Sequence, residues 1–132
     1  MYTGGAISWR SHKQPIIAMS STEAEYIAAS DASREAIWLR YLLSELTSPL
    51  TRPTLLRCDN MSTIKLTSST DVFHARTKHI DIRFHFIRWI LEDKKIRLIY
   101  CPTEDMVADV LTKALPSPKV KHFASALGLR MA

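Results

Sequence analysis

Three carboxylates stand where structural elements should begin or end. Glu25 follows Ser21-Thr22-Glu23-Ala24, Asp59 follows Leu55-Leu56-Arg57-Cys58, and Asp109 follows Thr103-Glu104-Asp105-Met106-Val107-Ala108. Hard divalent cations such as Mg²⁺ favour carboxylate oxygen. Two such ions ~4 Å apart can clamp the attacking and leaving oxygens of a phosphodiester during in-line displacement. Ligands carried by a strand end and by helix starts would be held rigidly. The expectation is that Glu25, Asp59 and Asp109 converge on metal ions.

Each acid also has a plainer reading. Glu25 sits near a helix start, where a carboxylate gains a few tenths of a kcal/mol from the helix dipole. Asp59 reads equally as a turn or capping residue, although open α/β sheets bind ligands beyond the carboxyl ends of their strands. Asp109 lies among Met106, Val107, Ala108, Val110 and Leu111, and burial of an unpaired charge is costly. A solvated slot between apolar ridges would also accommodate it. Glu23, Glu104 and Asp105 read as helix-start acids. The histidines form no HExxH and no Cys/His set with zinc spacing.

The elements that must position these acids follow from patterning. Ala6 to Arg10 alternates and predicts a strand, with too little sequence before Ile7 to complete a hairpin. Ser20-Ser21-Thr22-Glu23 is a capping box with Ser20 as N-cap. It opens a helix to about Leu46, with small Ala28, Ala29, Ala32 and Ala36 against a sheet and Ile37, Leu39, Leu42, Leu43 and Leu46 continuing the apolar face. Thr54 to Cys58 reads as a buried strand, followed by a short helix from Asn60 to Leu66 and a polar loop from Thr67 to Asp71. A second long helix runs from Lys78 to about Asp93, its stripe formed by Ile80, Phe84, Ile87 and Leu91. Ile96 to Tyr100 is a strand. Helices are expected at Glu104–Leu115 and Val120–Leu127, the second stopped by Gly128. The order β–α–β–α–α–β–α–α predicts an α/β layer fold with a partly parallel sheet.

The 132 residues suit one domain, and 46% apolar against 23% charged residues is ordinary for a globular protein. No apolar run approaches the ~20 residues needed to span a bilayer. The first residues carry no signal-peptide pattern, so an intracellular protein with no membrane partner is expected. Cys58 and Cys101 fall outside any CxxC pattern and read as reduced core thiols. The net charge of +5 is uneven. Residues 1–50 carry four basic and five acidic side chains, whereas residues 51–132 carry fourteen and eight. A basic second half suits a polyanionic partner, and Arg76, Lys78 and Arg83 are candidate phosphate contacts. The plainer alternative is a solvated surface with a Lys/Arg excess.

Five segments together carry a resemblance: Ile7 to Ser11, Ser20 to Tyr26, Cys58 to Asn60, His74 to Asp81 and Pro102 to Lys113. In order and spacing, they resemble the ribonuclease H domain at the C-terminal end of copia-type retrotransposon polyproteins, across nearly the whole chain. The resemblance implies a ribonuclease H-like mixed sheet of five strands flanked by helices. It implies Mg²⁺-dependent, two-metal cleavage of the RNA strand of an RNA–DNA hybrid, with an upstream reverse transcriptase region in the same polyprotein. Glu25 matches the family's helix-borne acid, Asp59 the acid ending the fourth strand, and Asp109 that of the last catalytic helix. Asn60, His74, Arg76, Lys78, His79 and Arg83 fall on the substrate side. The mobile histidine of many other ribonucleases H has no match near Thr103 and Glu104.

The family carries a further catalytic aspartate on a first strand, ahead of the Ile7-Ser8-Trp9 segment. The 132 residues begin where the family finishes its second strand, so a single truncated domain is expected, lacking the first strand and most of the second. Such a domain should be nearly inactive alone, with a loosely placed strand at Ile7–Arg10. The alternatives are a nucleic-acid-binding module that does not cut and a retrotransposon relic without function.

Overall fold

The computed structural model describes residues 4–68 and 78–129, with residues 78–84 described as backbone. Residues 18–102 form one compact unit; the other draws on the chain up to Ile17 and from Thr103 onward.

The larger unit begins with α1 (Ser21–Leu46), whose N-cap is the expected Ser20. The Ser20 Oγ accepts the Glu23 N–H at 3.1 Å, and the Glu23 carboxylate accepts the Met19 N–H at 2.8 Å. The reciprocal bond of the capping box therefore reaches one residue further back than the usual pattern. Ala29, Ser30, Ser33 and Ala36 form the buried line of α1, while Ala28 and Ala32 are exposed. The small-residue expectation thus held for half its alanines, and two serines complete the face. The Ser33 hydroxyl makes this tolerable by donating to the Ala29 carbonyl at 2.7 Å. Leu42 and Leu46 are exposed rather than core residues.

Strands β1 (Thr54–Cys58) and β2 (Ile96–Tyr100) pair in parallel, Thr54 opposite Ile96 and Cys58 opposite Tyr100. Among the described residues these two strands form the sheet. Between them lie α2 (Met61–Ser68) and α3 (Lys78–Glu92). Helix α2 runs two residues beyond the expected end, with Thr67 buried and its hydroxyl donating to the Ile64 carbonyl at 2.7 Å. Residues 69–71 of the expected loop lie outside the described residues. One sheet face packs under the helices. Leu98 joins Tyr26, Ala29 and Ile87, and Leu56 joins Ala36, Ile90 and Ile96. On the other face Leu55 is 56% exposed. Strand β1 is therefore half-buried, in correction of the expected buried strand, because the helices cover one face only. The Arg40 guanidinium fixes the approach to β1 by donating to the Leu50 and Arg52 carbonyls and to Thr54 Oγ1 at 2.8–3.0 Å.

In α3 the expected stripe residue Ile87 is buried, Leu91 packs on both clusters, and Ile90 adds a fully buried contact one turn beyond Ile87. The side chains of Ile80 and Phe84 lie outside the described residues. No described helix is long and apolar enough to cross a membrane. Both cysteines are free and buried, as expected.

Two expected elements of the smaller unit take other forms. Ile7 to Arg10 is not a strand, and Ile7 and Trp9 are exposed. Alternation alone cannot make a strand without a ladder partner, and the neighbouring Ala6 N–H bonds to the Leu127 carbonyl instead. The expected helix over Glu104–Leu115 is two 3₁₀ segments, Thr103–Asp105 and Val107–Leu111. β-branched Val107, Val110 and Thr112 disfavour an α-helix, and Pro102 and Pro116 bound the stretch. Its amides reach carbonyls three residues back, Met106 to Thr103 and Asp109 to Met106. Helix α4 (Ser117–Ala126) buries Phe123 and closes in a Schellman motif. The Leu129 N–H reaches the Ala124 carbonyl and the Gly128 N–H that of Ser125. Gly128 has φ of 76°, and a Cβ there would collide with the Gly4 carbonyl oxygen, so both backbone angle and space require glycine.

Candidate carboxylate site

The site in the larger unit is built by two helix starts tied together at the end of β1. Asn60 caps α2, its Oδ1 accepting the Thr63 N–H at 3.1 Å. The Thr63 side chain is fully buried and donates its hydroxyl to the Thr22 carbonyl at 3.2 Å. Thr22 belongs to the first turn of α1, and Glu25 lies one turn further on. This bond across 41 residues of chain ties the first turn of α1 to the first turn of α2.

Cys58 reports the result. The thiol is 5% exposed and interacts with the Asn60 carbonyl at 3.6 Å. Burial pushes its pKa up, the Asn60 backbone contact pulls the other way, and the charges of Glu25 and Asp59 add to the rise. Both carboxylates are therefore within electrostatic reach of one thiol, and both are partly buried. Next to Glu25, Tyr26 is buried, and its phenol is held above its ordinary range by burial, with the Arg88 charge opposing the shift. Two carboxylates beside a strand end are a hard-oxygen donor set of the kind Mg²⁺ accepts.

Asp109 belongs to the smaller unit. It is buried among its apolar neighbours rather than in a solvated slot, and its Oδ2 pairs with Lys113 Nζ at 2.8 Å. The lysine answers the cost of the buried charge. Among the described residues, no three His, Cys, Asp or Glu side chains form a group that could hold a metal ion.

Of the residues placed on the substrate side, Asn60 is seen as the α2 cap. His74 and Arg76 lie outside the described residues. Lys78, His79 and Arg83 lie on α3, and their side chains also fall outside the described residues. Sequence reasoning missed Thr63 and Lys113. Lys113 could have been found from its i,i+4 spacing to Asp109. Thr63 could have been found as a cap position only, since its bond to Thr22 is long-range.

The frame is thus an α/β unit in which Glu25 and Asp59 both lie within electrostatic reach of Cys58 at the end of a strand. The chain is homologous to a region of transposon Pol polyproteins. It is 41% identical over 128 residues, or 97% of its length, to the retrovirus-related Pol polyprotein from transposon TNT 1-94 of Nicotiana tabacum. It is 43% identical over 123 residues to that from transposon RE1 of Arabidopsis thaliana. Similarity to the transposon Ty1-NL2 Gag-Pol polyprotein of Saccharomyces cerevisiae is 30% over 119 residues. The chain spans 10%, 8% and 7% of these polyproteins, respectively. No protein-family model and no solved structure matches it.

Proposed function

We propose that this chain is the ribonuclease H region of a retrotransposon Pol polyprotein, acting on the RNA strand of RNA–DNA hybrids. The observation that carries the reading is homology to Pol polyproteins over nearly the whole chain, with Glu25 and Asp59 both within electrostatic reach of Cys58 at the end of β1. Glu25 and Asp59 would hold Mg²⁺, and the family resemblance implies Asp109 as a further ligand. Bound there, the metal would supply Lewis-acid stabilisation of the phosphodiester and activation of water. The protein's part is to fix the carboxylates. Asn60 and Thr63 lock the helix starts, and buried Cys58 lies within electrostatic reach of both carboxylates. Lys113 pairs with Asp109 and would yield it to the metal.

The test is cleavage of a labelled hybrid in Mg²⁺ by this chain, by its Asp109→Asn variant and by a form extended upstream to include the aspartate that the resemblance places ahead of Ile7. Full turnover is expected in the extended form and weak turnover in the 132 residues alone. Asp109→Asn in the extended form should lose more than ~100-fold, since metal stabilisation is worth several kcal/mol. A folded extended form that never cleaves would sink the reading.

The excess of fourteen basic over eight acidic side chains in residues 51–132 favours a second reading, in which the region holds nucleic acid without cutting it. That form would bind hybrid with strong salt dependence and show no Mg²⁺-dependent product.

A further inference from the structure

A cleft of about 390 Å³ lies in the larger unit, away from the carboxylates. That volume falls in the range of ligand-binding clefts. Its walls come from Ile64 of α2, Arg88 and Leu91 of α3, and three consecutive residues of β2, Ile96, Arg97 and Leu98. Three consecutive strand residues can line one cleft only if it follows the strand's backbone edge, because side chains alternate between faces.

The ladder shows which backbone groups that edge offers. The Thr54 N–H bonds to the Lys95 carbonyl, and the Cys101 N–H to the Cys58 carbonyl. In a parallel ladder this phase turns the amides and carbonyls of Arg97 and Ile99 toward β1. Those of Ile96, Leu98 and Tyr100 turn outward. Among the described residues, β1 is the one strand paired with β2. An outward row of donors and acceptors is a template for another strand.

The side chains say which strand. Ile96 and Leu98 face the helices and, with Ile64 and Leu91, give the cleft an apolar floor. Arg97 projects to the open face, opposite exposed Leu55, and no described side chain pairs with it. Arg88 and Glu92 also line the cleft, so its two cations outnumber its one carboxylate.

We infer that the outer edge of β2 accepts an extended acidic peptide by strand addition. Aliphatic side chains enter between Ile64, Leu91, Ile96 and Leu98, and the intervening carboxylates meet Arg97 on the open face. Backbone bonds give the affinity, and the alternation sets the register. This site uses neither the proposed metal ligands nor the nuclease reading.

The probe is a fluorescein-labelled heptapeptide in which glutamate alternates with valine, titrated against the whole chain by fluorescence anisotropy. Two further probes carry N-methyl groups, one on the valine amides and one on the glutamate amides. Strand addition requires one of these two to lose about tenfold or more in affinity and the other to bind as the parent does. Arg97→Glu should weaken the parent peptide about tenfold, and Arg97→Lys should retain most of it. Circular dichroism confirms that both variants stay folded. Equal binding by both N-methylated probes would mean charge attraction without strand addition and would overturn the inference. So would the absence of saturable binding below ~1 mM peptide, or indifference to Arg97→Glu.

Discussion

At the residue scale, the carboxylate pair depends on one hydroxyl. Thr63 joins the first turns of α1 and α2 through the Thr22 carbonyl. Thr63→Val keeps the shape and removes the bond, so it should cost ~1 kcal/mol or somewhat more, because the carbonyl is left without that donor. Thr63→Ser should recover most of this. Urea melts of the three proteins check it, and equal midpoints would show that the bond contributes nothing. Tyr26 makes a pH prediction. Its folded pKa is raised above the ordinary value of 10.0 by burial. The folded state then keeps the proton longer than the unfolded chain, so this contribution is complete below pH 10 and is lost as pH climbs above it. Tyr26→Phe should therefore lose less stability than the parent between about pH 9 and 11. Parallel melts across that window decide it.

At the scale of elements, α3 and β2 are held to α1 by a core of small area and close fit. Ala36, Ile90 and Ile96 form one cluster, and Tyr26, Ala29 and Ile87 the other, with Leu91 touching both. Ile90→Ala should cost ~2–5 kcal/mol, as truncations of fully buried isoleucines do. A two-state urea transition displaced by less than ~1 kcal/mol would mean that the cluster relaxes around the cavity. The two 3₁₀ segments make the opposite point. Asp109 lies in the second of them and Lys113 just beyond its end, so the pair forms without a continuous α-helix. The pair survives because it needs only a local i,i+4 spacing.

At the scale of the whole molecule, charge and context matter most. The chain carries a net +5 with the excess in its second half, and it spans a tenth or less of the Pol polyproteins it resembles. Binding to an RNA–DNA hybrid through basic side chains releases counterions, so affinity should fall steeply with salt. A chain making even a few phosphate contacts should lose at least ~10-fold between about 50 and 200 mM salt. Filter binding across that range tests it, and flat affinity would rule out a phosphate-tracking surface. The same experiment with an upstream-extended protein shows whether further polyprotein sequence alters the slope.

Local chemistry was legible in the sequence. The Ser20 cap, the strands Thr54–Cys58 and Ile96–Tyr100, the cap at Asn60 and the stop at Gly128 all follow from short-range rules. They were readable because each depends on residues within about a turn of one another. The failures share the opposite cause. Ile7–Arg10 alternates like a strand but has no ladder partner among the described residues, and no periodicity can supply one. Which alanines of α1 face inward depended on where α3 settles against it. The tie between the starts of α1 and α2 rests on a hydroxyl and a carbonyl 41 residues apart. The sequence by itself determined which residues could cap, pair or bear charge. Tertiary structure alone decided which of them meet, because long-range contact depends on how whole elements pack and leaves no local pattern behind.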